Sequence, residues 1–406
     1  YADDVLPNFT RSMNDEFMPD DVDNNNTKAC YKNWGYNRIY FNPNVTYIAP
    51  KNADGTSFAN ATYPVAKDDG YSSSSGTTDL SKSVFSMANN PFSTTNGSKN
   101  VVVSHSGHGF AIGTQVTDSN FSPSSNNVFR GVTITGTYSI TAVTTNTYTI
   151  QVATNATSTG TGGGNNVNET SNVPSWFYYD YTSTPLSPPT TCAADTAYTK
   201  KDMTTLTAAQ KTNFANWYSY YRKRIMMMKA ATGRAFVSVD DKYRVGFSTI
   251  SEKATGASKF LNVTKYTCCA ATTQKYKFYQ KLYAASTGNS TPLRGALSKA
   301  GRLFAGRLTG ADGTANPVQY SCQQNFTILT TDGYWNVSNE ASGSSTNYNT
   351  TNYSAYRADN VTSIGNWDKA TLPTATTEGE TTTARPYLEP NTATYTNTLA
   401  DVAAYY

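Results

Sequence analysis

The stretch from Thr291 to Asp332 constrains the fold of this chain more than any other segment. Its first half predicts a helix, because Pro292 suits the first helical position, where no backbone N–H is needed. Gly306 can end that helix. The apolar residues that follow Pro292 at helical spacing are Leu293, Leu297, Ala300 and Phe304.

The second half of this stretch predicts a buried strand around Phe326, Ile328 and Leu329. These apolar residues lie among β-favouring threonines, and the run stops at Asp332-Gly333. A helix that feeds a buried strand is typical of a parallel α/β sheet, in which ligands bind beyond the carboxyl ends of the strands. Asp332 is therefore a candidate ligand-binding residue, although an Asp-Gly pair can also do no more than shape a turn.

The composition is that of a chain with few charges and many polar and aromatic loops. Its 406 residues predict two or three domains, and 32 basic against 28 acidic residues leave a net charge of +4. This balance, without a Lys/Arg block, does not predict a nucleic-acid partner. Only 15% of residues are charged and 30 are tyrosine. We interpret this as a secreted or surface protein that binds through its loops, although tyrosine can also line a core edge.

The chain contains no apolar stretch of the roughly 20 residues that a membrane helix needs. No signal peptide is visible at Tyr1, so we expect a mature chain or a fragment. The cysteines are Cys30, Cys192, Cys268, Cys269 and Cys322. Without CxxC pairs a zinc site is not expected, and an oxidising compartment favours two disulfides and one thiol. Because adjacent cysteines hardly pair without strain, we expect Cys268 or Cys269 to pair with Cys192 or Cys322.

Residues 101–155 predict a small antiparallel β module inserted into a larger domain. Short alternating segments are separated by Gly and Asn turns, without a helical period, and resemble small β-barrel repeats of phage and bacterial surface proteins. The chain's two histidines, His105 and His108, lie here. Their spacing could hold a metal, but no acidic or cysteine partner is near in sequence, so we favour a structural role. The predicted main domain then comprises residues 1–100, with long loops, and residues 156–406.

Further helices and a strand are predicted after residue 203. The segment Thr207–Gln210 is a capping box, and apolar residues from Phe214 to Met228 recur at spacings of three and four. They predict one helix that ends at Gly233. The residues 244–250 predict a buried strand, residues 274–285 a helix, and Asn397–Ala403 another helix start.

The chemistry-bearing residues do not predict an enzyme. Histidines are absent outside the β module, so no Ser/His/Asp set is available there, and no Gly-rich phosphate loop follows a strand. Hydroxyls of Thr10, Ser12 and Thr291, with the carboxylate of Asp332, could instead meet at one face of the sheet and bind Mg²⁺ or Ca²⁺. A weaker set of oxygen ligands at alternate positions is Asp21, Asp23 and Asn25. That set lacks the central Gly and closing Glu of an EF-hand loop, which favours a solvated acidic turn.

Five segments together carry a family resemblance, although each alone is weak. They are Arg38–Tyr47, Asp54–Phe58, Thr291–Leu293, Cys322–Gly333 and Asn397–Tyr406. In this order they resemble the N-terminal half of the PilC/PilY family of adhesins at the tips of bacterial type IV pili. The resemblance implies a von Willebrand factor A-like α/β domain, an extracellular place at the pilus tip, docking on minor pilins, and binding to a host or abiotic surface ligand. Family members continue into a β-propeller, so we expect a fragment.

The resemblance also implies a metal site of the A-domain type, Asp-x-Ser-x-Ser followed by a later Thr and a later Asp. By position Asn8, Thr10 and Ser12 take the first three places, and Thr291 and Asp332 match the other two. Asn8 stands where the motif has aspartate, and the lost charge should weaken binding of Mg²⁺ or Ca²⁺. The implied function is adhesion together with pilus biogenesis. The alternative is a purely structural protein that primes pilus assembly and has no ligand of its own.

Overall fold

The computed structural model describes residues 34, 40–119, 128–134, 136–165, 167–173, 176–181, 198–251, 259–287, 291–308, 316–331, 355–359, 362–367 and 397–406. The chain divides into two compact units. The first comprises Tyr1–Ala49 and Ala59–Met227, and the second comprises Pro50–Phe58 and Met228–Tyr406.

The first unit is rich in short strands, all of which pair antiparallel in the described residues. Its strands are β1 (Ala66–Lys67), β2 (Thr77–Thr78), β3 (Ser83–Ser86), β4 (Phe92–Thr94), β5 (Asn100–Ser104), β6 (Gln115–Ser119), β7 (Val128–Phe129), β8 (Val132–Thr133), β9 (Thr137–Val143), β10 (Thr147–Gln151), β11 (Gly160–Gly162), β12 (Asn168–Ser171), β13 (Phe177–Tyr181) and β14 (Tyr198–Asp202).

Eight of these strands form one sheet in the order β11-β4-β5-β10-β9-β6-β12-β3. The first and last strands of the sheet along the chain, β3 and β12, are neighbours, and Ser83 lies opposite Ser171. The chain therefore enters and leaves this sheet at the same place. The sheet extends beyond the predicted residues 101–155 at both ends.

One face of this sheet carries its own hydrophobic core. Side chains alternate between the faces of a strand, so β5 buries Val101 and Val103 and exposes Val102. The buried core residues of this face run from Met87 to Val167, and Phe85, Phe129 and Tyr138 pack against them. The core is thus built entirely from residues that lie between Ser83 and Ser171.

The first unit also contains helix α1 (Ala208–Tyr220), and helix α2 (Arg224–Ala235) includes the boundary between the units. The single predicted helix ending at Gly233 is wrong, because the chain turns between Tyr220 and Arg224. The N–H groups of Tyr221 and Arg222 both donate to the Trp217 carbonyl, which closes α1.

The predicted capping box at the start of α1 is confirmed. The Thr207 side chain accepts a hydrogen bond from the Gln210 N–H, and the Gln210 side chain accepts one from the Thr207 N–H. Thr207→Ala is expected to lower the free energy of unfolding by about 1 kcal/mol, because a first-turn N–H loses its acceptor. Urea unfolding followed by circular dichroism measures the change. Thr212→Ala, inside the same helix, is the matched control, and an equal loss there would contradict the capping role.

In the second unit two strands and three helices complete the described elements. They are β15 (Arg244–Ser248), β16 (Phe260–Lys265), α3 (Gln274–Ala284), α4 (Leu293–Phe304) and α5 (Leu399–Tyr405). The predictions of α3, α4 and α5 are confirmed, and Gly306 takes a φ of 67° after α4, as a helix-ending glycine does. The strand predicted over residues 244–250 exists as β15, but it is half-buried in a two-stranded hairpin with β16.

The predicted parallel α/β fold of the von Willebrand factor A type is wrong. Every strand pair among the described residues is antiparallel, and the largest sheet belongs to the first unit. Phe326 and Ile328, expected in a buried central strand, are each 79% exposed in an extended segment outside the strands described here. An apolar run indicates a buried strand only when neighbouring strands exist to cover it, and the run itself does not reveal those neighbours.

The predicted pairing of Cys268 or Cys269 with Cys322 is not formed, and pairing with Cys192 stays a prediction. Cys268 and Cys269 lie side by side in the second unit, and the peptide bond between them is cis. Cys322 is exposed and carries a free thiol. Cys30 and Cys192 lie outside the described residues.

Candidate functional site

The predicted metal ligands fall mostly outside the part of the chain that the structure describes. Asn8, Thr10, Ser12 and Asp332 are among the residues not described, as are Asp21, Asp23 and Asn25. Thr291 is described; it is half-buried just before α4, and its carbonyl accepts a hydrogen bond from the Leu293 N–H at 3.0 Å. The five-residue Mg²⁺ or Ca²⁺ site therefore remains a prediction. Among described residues no group of three or more His, Cys, Asp or Glu is arranged to hold a metal.

Helix α4, which follows Thr291, is fixed by contacts with residues 355–359 and 397–406. Ser298 is buried, donates to the Tyr356 carbonyl at 2.7 Å and accepts from the Tyr356 N–H at 2.9 Å. Tyr406 donates to the same carbonyl, and its ring lies against Gly301, where a Cβ atom would approach it to 2.1 Å. The family segments around Thr291 and Asn397–Tyr406 thus build one part of the second unit.

A second candidate is a polar cluster inside the core of the eight-stranded sheet. Asp118 on β6 lies directly opposite Glu169 on β12, and both point to the buried face. Asp118 is 3% exposed and Glu169 is fully buried. Two carboxylates in register on neighbouring strands lie close together, so this arrangement is costly unless one charge is removed or compensated.

Glu169 is surrounded by hydrogen-bond donors, whereas Asp118 is not. The Tyr148 hydroxyl donates to one oxygen of Glu169, and the Nδ1 atom of His105 lies 3.2 Å and 3.3 Å from its two oxygens. Neither carboxylate oxygen of Asp118 has a hydrogen-bond partner among the described residues. The two acids therefore occupy very different environments although they face each other.

The turn that carries both histidines is bound to this cluster. His108 contacts the Thr147 carbonyl through Nε2 at 3.1 Å, and its Nδ1 accepts from the Phe110 N–H at 2.9 Å. The rings of His105, Phe110 and Tyr148 meet edge to face. The histidines are thus packed and hydrogen-bonded within the sheet core.

Burial changes the acid–base properties of this cluster. Loss of hydration, with the nearby charge of Glu169, raises the pKa of Asp118 to about 8. Burial also raises the pKa of Tyr148, and the charges of Asp118 and Glu169 add to the effect. The pKa of the half-buried Tyr138 is raised for the same two reasons, with Asp118 as the charge. Burial therefore favours the uncharged forms of Asp118, Tyr138 and Tyr148.

Sequence reasoning missed this cluster because its members are far apart along the chain. His105 and Glu169 are 64 positions apart, and Tyr148 is 21 from Glu169. His105 therefore has an acidic partner in the folded sheet, although none lies near it in sequence. A signal did exist: Val116 alternates with Asp118 along β6, so a strand that buries the valine also buries the acid.

Comparison with known proteins gives relatives of one kind. No family model matches the chain. The "Type IV pilus biogenesis factor PilY1" of Pseudomonas aeruginosa PAO1 is 30% identical over 233 residues, which cover 54% of this chain and 19% of that protein. PilY1 of strain UCBPP-PA14 is 31% identical over 195 residues, 47% of this chain and 16% of that protein. PilY1 of strain PAK is 32% identical over 171 residues, which cover 39% of this chain and 14% of that protein.

The chain spans less than a fifth of the length of these relatives. Among solved structures, "Phage phi92 endosialidase" matches 22% of this chain and 12% of its own at 20% identity, with a TM-score of 0.18. Among described residues, no helix combines the length and apolar character needed to cross a membrane. The similarity to three PilY1 proteins, over about half of this chain's residues, confirms the resemblance to the PilC/PilY family.

Proposed function

We propose that this chain is part of a type IV pilus biogenesis factor that also acts as an adhesin at the pilus tip. The observation that carries the proposal is its similarity of about 30% identity to three proteins named as type IV pilus biogenesis factors. On this proposal the chain lies at the bacterial surface, docks on minor pilins and presents a binding surface to host cells or abiotic material. This role requires no catalytic group.

Within this proposal, the eight-stranded sheet is the part that binds a surface ligand. It has its own hydrophobic core and joins the remainder of the chain through the paired residues Ser83 and Ser171. Valine side chains such as Val84 on the edge strand β3 and Val102 on β5 point outward and are exposed. The competing proposal is that the whole chain only primes pilus assembly. On that proposal the sheet also serves pilus assembly and binds no surface ligand.

The two proposals are separated by removing the sheet without disturbing what surrounds it. Opposed residues of an antiparallel pair have Cα atoms about 4.5–5.5 Å apart, so Ser83 and Ser171 can be joined by a two-residue turn. In the full-length protein, we would replace residues 84–170 by two glycines. We expect bacteria carrying this variant to keep surface pili and to lose attachment to host cells or plastic.

The matched control removes only residues 101–155, in the full-length protein. That variant keeps β3, β4, β11 and β12 but exposes core residues such as Phe92, so it is expected to misfold and to lower the amount of protein. Immunoblots of sheared pilin measure piliation, and immunoblots of the variant measure its amount. Loss of pili from the 84–170 variant at normal protein level would contradict the adhesin role and support the assembly-priming role.

A further inference from the structure

We propose that the opposed carboxylates Asp118 and Glu169 form a proton-dependent lock within the eight-stranded sheet. When Asp118 carries a proton, strands β6 and β12 and the turn that carries His105 are held together. When that proton is lost, the sheet loosens around these elements. This inference is independent of the pilus role, because it concerns the folding of the sheet alone.

The geometry leaves a proton as the means of neutralising the pair. Ion pairs and metals are the usual ways to compensate buried carboxylates. In the described part of the chain no lysine or arginine forms an ion pair with either acid, and no metal-holding group is present. The titratable groups that interact with Asp118 are Glu169 on β12, Tyr138 on β9 and Tyr148 on β10, and His105 after β5 contacts Glu169.

The environments of the two acids decide where the proton resides. Glu169 receives hydrogen bonds from Tyr148 and faces His105, and such donors stabilise a carboxylate in its charged form. Asp118 is 3% exposed, and no donor among the described residues bonds to its carboxylate, so neither water nor a hydrogen bond stabilises a charge there. The proton that neutralises the pair therefore belongs on Asp118.

The direction of the pH dependence follows from this assignment. The pKa of Asp118 is raised by folding, from an ordinary value of 3.8 to about 8. The folded sheet consequently binds a proton that the unfolded chain releases, and stability falls as the pH rises between these two values. The stability that protonated Asp118 contributes is complete below its ordinary pKa of 3.8 and is lost once the pH has risen through about 8.

The lock joins parts of the sheet that are distant in sequence. Glu169 on β12 is held by Tyr148 on β10 and by His105, whose turn also contacts the Thr147 carbonyl through His108. β12 in turn pairs with the edge strand β3. Charging Asp118 beside Glu169 would separate β6 from β12 at their shared register and loosen the edge of the sheet.

Hydrogen exchange with peptide resolution, on the full chain, tests the proposal. Wild type and Asp118→Asn are compared at pH 6 and at pH 9, so that the chemical exchange rate cancels at each pH. Asparagine is the uncharged counterpart of the protonated acid and cannot lose the proton. We expect the wild type to exchange faster than Asp118→Asn in β6 and β12 already at pH 6 and, from the linkage relation, the ratio of the two rates to grow at least roughly tenfold between pH 6 and pH 9.

Asp79→Asn is the matched control, because Asp79 is a half-exposed carboxylate beside Lys82 in the turn before β3. It should behave as the wild type at both pH values.

If Asp118→Asn fails to fold, exchange of β6 and β12 relative to α3 in the wild type gives the same test. The proposal would be overturned if the ratio of wild-type to Asp118→Asn exchange rates, or of β6 and β12 to α3 in the wild type, does not change between pH 6 and pH 9. Protection of the wild-type sheet at pH 9 by added Zn²⁺ or Ca²⁺ would also overturn it, because a cation would then neutralise the pair.

Discussion

Trp217→Ala is expected to lower the free energy of unfolding of the first unit by about 3–5 kcal/mol, because it empties the largest fully buried side-chain site. The Trp217 ring lies 5.1 Å from the ring of Phe214 and 5.7 Å from that of Phe41, in tilted and edge-to-face contacts. Phe41 belongs to a family segment before the sheet and Trp217 to α1, so the substitution separates segments that are distant in sequence. Urea unfolding followed by far-ultraviolet circular dichroism measures the loss.

Phe326→Ala is the matched aromatic control for this experiment. Phe326 is 79% exposed, and exposed substitutions usually change stability by less than about 0.5 kcal/mol. A small effect of Trp217→Ala would contradict the described core of the first unit. A large effect of Phe326→Ala would instead support the buried strand that the sequence predicts around Ile328.

Asp401→Ala is expected to destabilise the second unit by about 2–4 kcal/mol, since hydrogen bonds to a buried charged group are worth more than neutral ones. Asp401 is fully buried at the start of α5. One of its oxygens accepts from the Trp367 N–H at 2.5 Å, and the other accepts from the N–H and hydroxyl of Thr398. Alanine would leave the buried Trp367 N–H without an acceptor and would also remove the capping box. Thermal unfolding by calorimetry measures the loss.

Asp401→Asn distinguishes the hydrogen bonds from the space that the side chain fills. The amide keeps one acceptor oxygen, so we expect a loss of stability smaller than that of alanine. Equal losses for the two variants would mean that the negative charge matters more than the Trp367 contact. No loss for either variant would contradict the position of α5 in the core with Val402 and Tyr405.

The helices could be predicted because their signals are local. Thr207 and Gln210 define a cap within four residues, and Pro292 with Gly306 marks both ends of α4. The break between α1 and α2 could not be predicted, because it depends on contacts made after folding. The Tyr221 hydroxyl donates to the Ile48 carbonyl, which is 173 positions away in sequence.

The sheet could be predicted as antiparallel and all-β, but its extent could not. Strands β3, β4 and β12 are short and polar, so their sequences differ little from loops, and only pairing identifies them. The cluster of Asp118 and Glu169 could not be predicted from the sequence for a related reason. The predicted ligands around Asp332 depended on a parallel sheet, whereas Asp118 and Glu169 meet through antiparallel register. Register is set by the assembled sheet and does not show in any one strand.

The neighbouring positions of Ser83 and Ser171 have a consequence for how this protein can change over generations. The segment between them, of whatever length, needs only to begin and end one inter-strand distance apart. A longer, shorter or unrelated segment could replace the sheet if its two ends are equally close. The aromatic core around Phe41 and Trp217 would then keep its packing. The sheet could therefore be exchanged as a unit at this single junction, without changes to the residues of the framework that carries it.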